Sequence, residues 1–82
     1  MTNARAKTAI ANSVVGLTRF LVRQNHISKE HAYIKLYQTE LFGLLNNVRT
    51  GLFLEPNDRL IDLLKIELQE GVTGLYAKLQ MI

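Results

Sequence analysis

Apolar residues recur every three or four positions along nearly the whole chain, which is the spacing of one face of a helix. From Asn3 or Ala4 to Gln24, the residues Ala6, Ile10, Val14, Leu17 and Leu21 fall on one stripe, with Phe20 on its flank. A second apolar stripe, Ala4, Ala11, Val15 and Val22, lies about a third of a turn away. Arg5, Thr8, Asn12, Arg19 and Arg23 fill the narrow polar sector that is left. A helix apolar on two sides is central in its own fold or packed on two partners at once. A chain of 82 residues has little core with which to surround it. The pattern therefore predicts a homodimer, with the first stripe on the chain's own core and Ala4, Ala11, Val15 and Val22 on the mate.

The first helix ends near Asn25 and His26, a place where a cationic side chain meets terminal carbonyls. Ser28 is a good N-cap for a second helix, about Lys29 to Tyr37, with Glu30 in its first turn and Ile27 placed to staple onto Ala32. Ala32 and Leu36 point inward there, with either Tyr33 or Tyr37 beside them. Thr39 can cap a third helix that opens with Glu40 and turns Leu41, Leu44, Leu45 and Val48 inward. Gln38 and Thr39 mark a break or only a bend, so one continuous helix stays open. Gly51 is a left-handed stop after Thr50. Residues 52–54 read as a buried connector, with a strand paired across a dimer as the alternative. Pro56 suits a helix start, and Asp58 adds negative charge to the first turn. Leu60, Ile61, Leu64 and Leu68 form the face of this fourth helix, with Leu63 beside them. Gly71 either ends it or lets it bend, while Leu75, Tyr76 and Leu79 continue the helical spacing. The expected fold is all-α: one domain over residues 1–82, a bundle of four or five helices completed by homodimerisation.

Composition narrows the chemistry. With 48% hydrophobic and 21% charged residues, the chain reads as folded and globular. It has no cysteine, which excludes disulfides, thiolate metal sites and a thiol nucleophile. The two histidines, His26 and His31, are five positions apart, not the four that would stack two ligands on one helix face. No Gly-rich phosphate loop, GxSxG elbow or HExxH helix is present. The carboxylate pairs Asp58–Asp62 and Glu67–Glu70 read as a solvated acidic face, with Asp62 and Lys65 as a weak surface pair. No catalytic, cofactor-binding or metal-ligating residue stands out, and an enzyme is not expected. The longest apolar runs, residues 41–45 and 51–54, fall short of a secretory core of about 7–15 residues or a span of about 20. A cytoplasmic protein without a membrane partner is expected.

Charge changes the picture more than composition does. Residues 1–35 carry six basic side chains against the single acid Glu30, and residues 36–82 carry four against six. A basic half suits nucleic acid or an acidic partner, and it also lets two protomers attract each other. Tyr33 and Tyr37, spaced i,i+4 beside Lys29 and Lys35, form an amphipathic patch suited to a protein partner. Residues 28–49 can also be read as a degenerate helix-turn-helix, with Asn46, Asn47 and Arg49 reaching base edges or phosphates. Against that, residues 37–39 contain no glycine, and the reading helix would open on Glu40, Leu41 and Phe42. Arg5, Arg19, Arg23, Tyr33, Tyr37, Asn46, Asn47 and Arg49 are the candidate contacts for a protein or nucleic-acid partner.

Ile27-Ser28, then Ala32, Leu36, Thr39 and Leu44-Leu45, within residues 17–64, carry a resemblance. The pattern resembles a family of small uncharacterised bacterial helical domains encoded beside toxin-like, ADP-ribosyltransferase-like genes. Near the place of that family's His-Thr-Gln signature this chain has Arg49-Thr50-Gly51. The resemblance implies an accessory, antitoxin-like role without chemistry of its own. The sequence-based expectation is thus a protein–protein interaction module, antitoxin-like or a phage- or plasmid-linked regulator. The alternatives are a DNA-binding regulator and a small helical protein like the bacteriocin-immunity proteins.

Overall fold

Local capping chemistry decides where the helices begin and end. A computed structural model describes residues 4–80, which form four α-helices: α1 (Ala4–Asn25), α2 (Lys29–Tyr37), α3 (Glu40–Asn46) and α4 (Asn57–Gln80). Single 3-10 turns, Val48–Thr50 and Leu52–Leu54, connect α3 to α4, and no strand occurs among the described residues. His26 stops α1 in the left-handed region at φ 53°. Ser28 then accepts the His31 amide at 3.1 Å and opens α2. Thr39 settles the question left open between α2 and α3. Its extended backbone breaks the helix, and its hydroxyl accepts the Phe42 amide while donating to the Leu36 carbonyl at 2.6 Å. Gly51 adopts φ 72° and makes the stop the sequence predicts. Pro56 sits just before α4 and lends its carbonyl to the amides of Arg59 and Leu60.

The helices meet on one contiguous core of ten leucines and one alanine. Leu17 and Leu21 of α1 lie against Ala32 and Leu36 of α2, Leu41 and Leu45 of α3, Leu52, and Leu60, Leu63, Leu64 and Leu75 of α4. Asn57 at the start of α4 closes over Gly16, where a Cβ would stand 2.6 Å from its amide nitrogen. That approach brings the start of α4 against the middle of α1.

Three expectations need correction. Val48 leaves the inner face of the third helix: α3 stops at Asn46, and Val48 lies exposed on a 3-10 turn. Leu68 is 42% exposed. The inner position of that turn is taken by Glu67, which is half-buried and aimed at α3, so Leu68 is rotated outward. Within residues 52–54 only Leu52 is buried, and Leu54 is exposed, because a 3-10 turn faces three directions in three residues. Gly71 takes φ 78° and ψ −173°, outside helical values, so α4 is two helical segments joined by a kink there. The turn returns Leu75 to the core.

A basic-rimmed groove between the first two helices

The connection at 26–28 is short, so α2 folds back beside α1. Their inner sides meet through Leu17, Leu21, Ala32 and Leu36. Their outer sides diverge and leave a groove of about 860 Å³. Its floor is Val14, Val15, Thr18 and Val22 of α1 with Tyr33 and Ile34 of α2. Val15 is 50% exposed and Ile34 53%, although both are side chains that solvent disfavours. Thr18 adds no unpaired polar atom, because its hydroxyl donates to the Val14 carbonyl at 2.7 Å.

Arg19, Arg23, Lys29 and Glu30 form the rim. Among the described residues the one ion pair within 4 Å is Arg59–Glu55 at 3.8 Å, well away in sequence. The three cations of the rim therefore have no carboxylate within 4 Å, and with Glu30 counted the rim is positive by two charges. At one end the floor continues into an aromatic ledge. Tyr33, Tyr37 and Phe42 stand with ring centroids 5.3–6.3 Å apart, Phe42 edge-on to Tyr33. Such packing holds Tyr33 and Tyr37 in place while leaving them exposed. Neither tyrosine points inward, which corrects the expectation that one of them would.

The second stripe of α1 is thus split between groove and solvent. Val15 and Val22 line the groove, Ala11 is exposed above it, and the side chain of Ala4 lies outside the described residues. Of the candidate contacts, the fold brings Arg19, Arg23 and Tyr33 together, with Tyr37 adjoining. Arg5 is on α1, about 21 Å along the axis from Arg19, outside the groove. Asn46 donates its amide to the Phe42 carbonyl at 2.8 Å, and Asn47 caps the Arg49 amide at 3.1 Å. Both asparagines are spent on local structure, and Arg49 stands apart on a 3-10 turn. The opening of α3, where a reading helix would meet bases, is crowded by two carboxylates.

Those carboxylates form a second polar centre. Glu67 accepts the amides of Glu40 at 2.7 Å and Leu41 at 2.9 Å, one on each oxygen. A negative group at a helix N-terminus is where the free amides and the helix dipole favour it. Glu67 is therefore not part of a solvated acidic face. The Tyr76 hydroxyl donates to Glu40 at 2.5 Å, which ties the last turns of α4 to the same point. The Glu40 hydrogen bond raises the Tyr76 pKa above its usual value, with burial and the charges of Glu40 and Glu67 adding to it. The Asp62–Lys65 pair does not form within 4 Å among the described residues; Lys65 instead sits 5.6 Å over the Phe20 ring.

Nothing in the sequence pattern pairs Ile34, Lys29 and Glu30 with the α1 stripe; that juxtaposition depends on how the two helices pack. The exposed isoleucine in an otherwise polar sector of α2 was the available signal. No protein-family model, curated protein or solved structure matches this chain. Among the described residues no three His, Asp or Glu side chains gather as metal ligands, and no helix is long and apolar enough to cross a membrane.

Proposed function

We propose that the protein is a small, non-enzymatic protein–protein interaction module that works through the groove between α1 and α2. The observation that carries this reading is the groove itself. An apolar floor of valine, isoleucine and tyrosine stays open to solvent while the leucine core is already closed beneath it. Such a concave apolar surface with a charged margin is the usual form of a docking site. An antitoxin-like or regulatory accessory role fits it, since such a role needs a binding face and no chemistry.

Self-association is the second reading, favoured by the exposure of Ala11 and Val15 on one side of α1. A two-fold contact would place like surfaces together, and here each surface carries Arg19 and Arg23. That repulsion favours a different partner over a second copy.

The test is selection of binders from a peptide display library against the folded protein, followed by amide shift mapping with labelled protein. The selected peptides should shift the amides of Val15, Val22 and Ile34. Binding should be lost in a Val15→Asp, Ile34→Asp double variant that keeps its helical circular dichroism. Binders that map only to the Leu68 and Val72 side of α4 would overturn the assignment of the face.

A further inference from the structure

Resting on that reading of the groove, we infer that its occupant is an amphipathic α-helix with acidic flanks. Three observations converge on this partner. The first is that both walls are helices whose backbone amides are already bonded within them, apart from their ends. An extended segment laid between them would find no free edge and would leave its own amides unpaired, whereas a helix satisfies its own.

The second is size. Val14 and Val22 are separated by about 12 Å along α1, a little over two helical turns. That length takes three apolar anchors at i, i+3 or i+4, and i+7, the spacing with which helices enter apolar grooves.

The third is charge. Arg19 and Arg23 are one turn apart on one wall, and Lys29 stands on the other, against the single acid Glu30. Glutamates or aspartates spaced one turn apart on the incoming helix would lie beside Arg19 and Arg23 on one flank, with a further acid near Lys29. Nucleic acid would satisfy the cations and the Tyr33 ring but not the rest of the floor, because Val14, Val15, Val22 and Ile34 offer neither a stacking plane nor a hydrogen bond.

The experiment uses the full chain and three synthetic helical peptides with one leucine stripe, flanked by glutamate, glutamine or lysine. Each is titrated into labelled protein, with the affinity and the shifted amides as readout. The glutamate peptide should bind about tenfold more tightly than the glutamine peptide at low salt and lose that advantage as salt rises. The lysine peptide should bind most weakly. The exposed pair Arg19→Glu, Arg23→Glu should reverse the order without altering the dispersion of the spectrum.

Equal affinities for all three, with shifts inside the groove, would overturn the acidic partner and leave the docking face standing. Absence of groove shifts with every peptide would overturn both. A DNA duplex that shifts groove amides where the glutamate peptide does not would reassign the rim to phosphate. Light scattering that shows a dimer abolished by Val15→Asp would make the occupant a second copy.

Discussion

Replacing Gly71 by alanine tests the turn in α4, because the sign of the effect separates two structures. With φ 78° and ψ −173°, Gly71 occupies a region that glycine alone adopts without strain. A Cβ there meets nothing within 4 Å, so the penalty is one of backbone conformation only. Holding alanine in that conformation costs about 1–3 kcal/mol. The alternative is to straighten the helix, which alanine favours by about 1 kcal/mol over glycine. Straightening would withdraw the fully buried Leu75, a loss of about 2–5 kcal/mol for a core leucine, and would part Tyr76 from Glu40. Strain is the smaller penalty, so Gly71→Ala should destabilise by about 1–3 kcal/mol, each kcal/mol lowering Tm by about 4–8 °C in a domain of this size. Thermal and urea unfolding followed by circular dichroism would measure it. Gly43→Ala is the internal control, since Gly43 is helical, exposed and open around its Cβ. That change should stabilise by about 0.5–1 kcal/mol. D-Alanine at 71, introduced by chemical synthesis, suits the positive φ and should be neutral or mildly stabilising. If Gly71→Ala stabilises as Gly43→Ala does, α4 runs straight through residue 71 and the account of its last turns is wrong.

Leu64→Ala should cost about 2–5 kcal/mol in urea melts, whereas Leu54→Ala, at a site 75% exposed, should stay within about 0.5 kcal/mol. His26→Gly should raise stability by about 1 kcal/mol by relieving the left-handed backbone that ends α1, again read from urea midpoints. Glu67→Gln should cost about 1–2 kcal/mol through the weakened hold on the Glu40 and Leu41 amides, against a negligible change for the exposed Glu70→Gln. The raised Tyr76 pKa means that the folded state keeps its proton where the unfolded chain has lost it. The contribution is complete below pH about 10 and is lost as pH rises through the folded value, so urea midpoints measured upward from pH 9 should fall, with a shallower fall in Tyr76→Phe.

What could be read from the sequence is what depends on near neighbours. Ser28, Thr39 and Gly51 act on groups within a few positions of themselves, so their roles follow from residue type and spacing alone. The core stripe of α1 was legible for the same reason, since a helix repeats on itself whatever it packs against. Leu68 was misplaced because a periodic face assumes that every inner position is apolar, and at this turn Glu67 takes the inner place. The partner of Glu67 lies 26–27 residues away at the start of α3, and no local pattern announces such a contact. The groove was legible by halves. Val15, Val22, Arg19 and Arg23 were singled out from α1, and Tyr33 from α2. Lys29 was singled out beside Tyr33, whereas Ile34 and Glu30 were not, and all three meet the α1 residues only through the packing of one helix on the other.

The core explains why the polar contacts matter so much in this fold. Its fully enclosed side chains are almost all leucine, and a core of one repeated shape distinguishes poorly between one helix register and the next. Glu67 on the α3 amides and Tyr76 on Glu40 each join α4 to one defined place on another helix, and Asn57 packs closely over Gly16 of α1. Apolar burial thus supplies the drive to collapse, while these few directional contacts select the arrangement. The groove needs neither of them. Val15 and Ile34 lie outside the closed leucine cluster and are about half exposed, so the folded chain gains little from their being apolar. Exposed apolar side chains beside arginines with no carboxylate within 4 Å are what the proposed docking surface would account for, with an acidic partner as its complement.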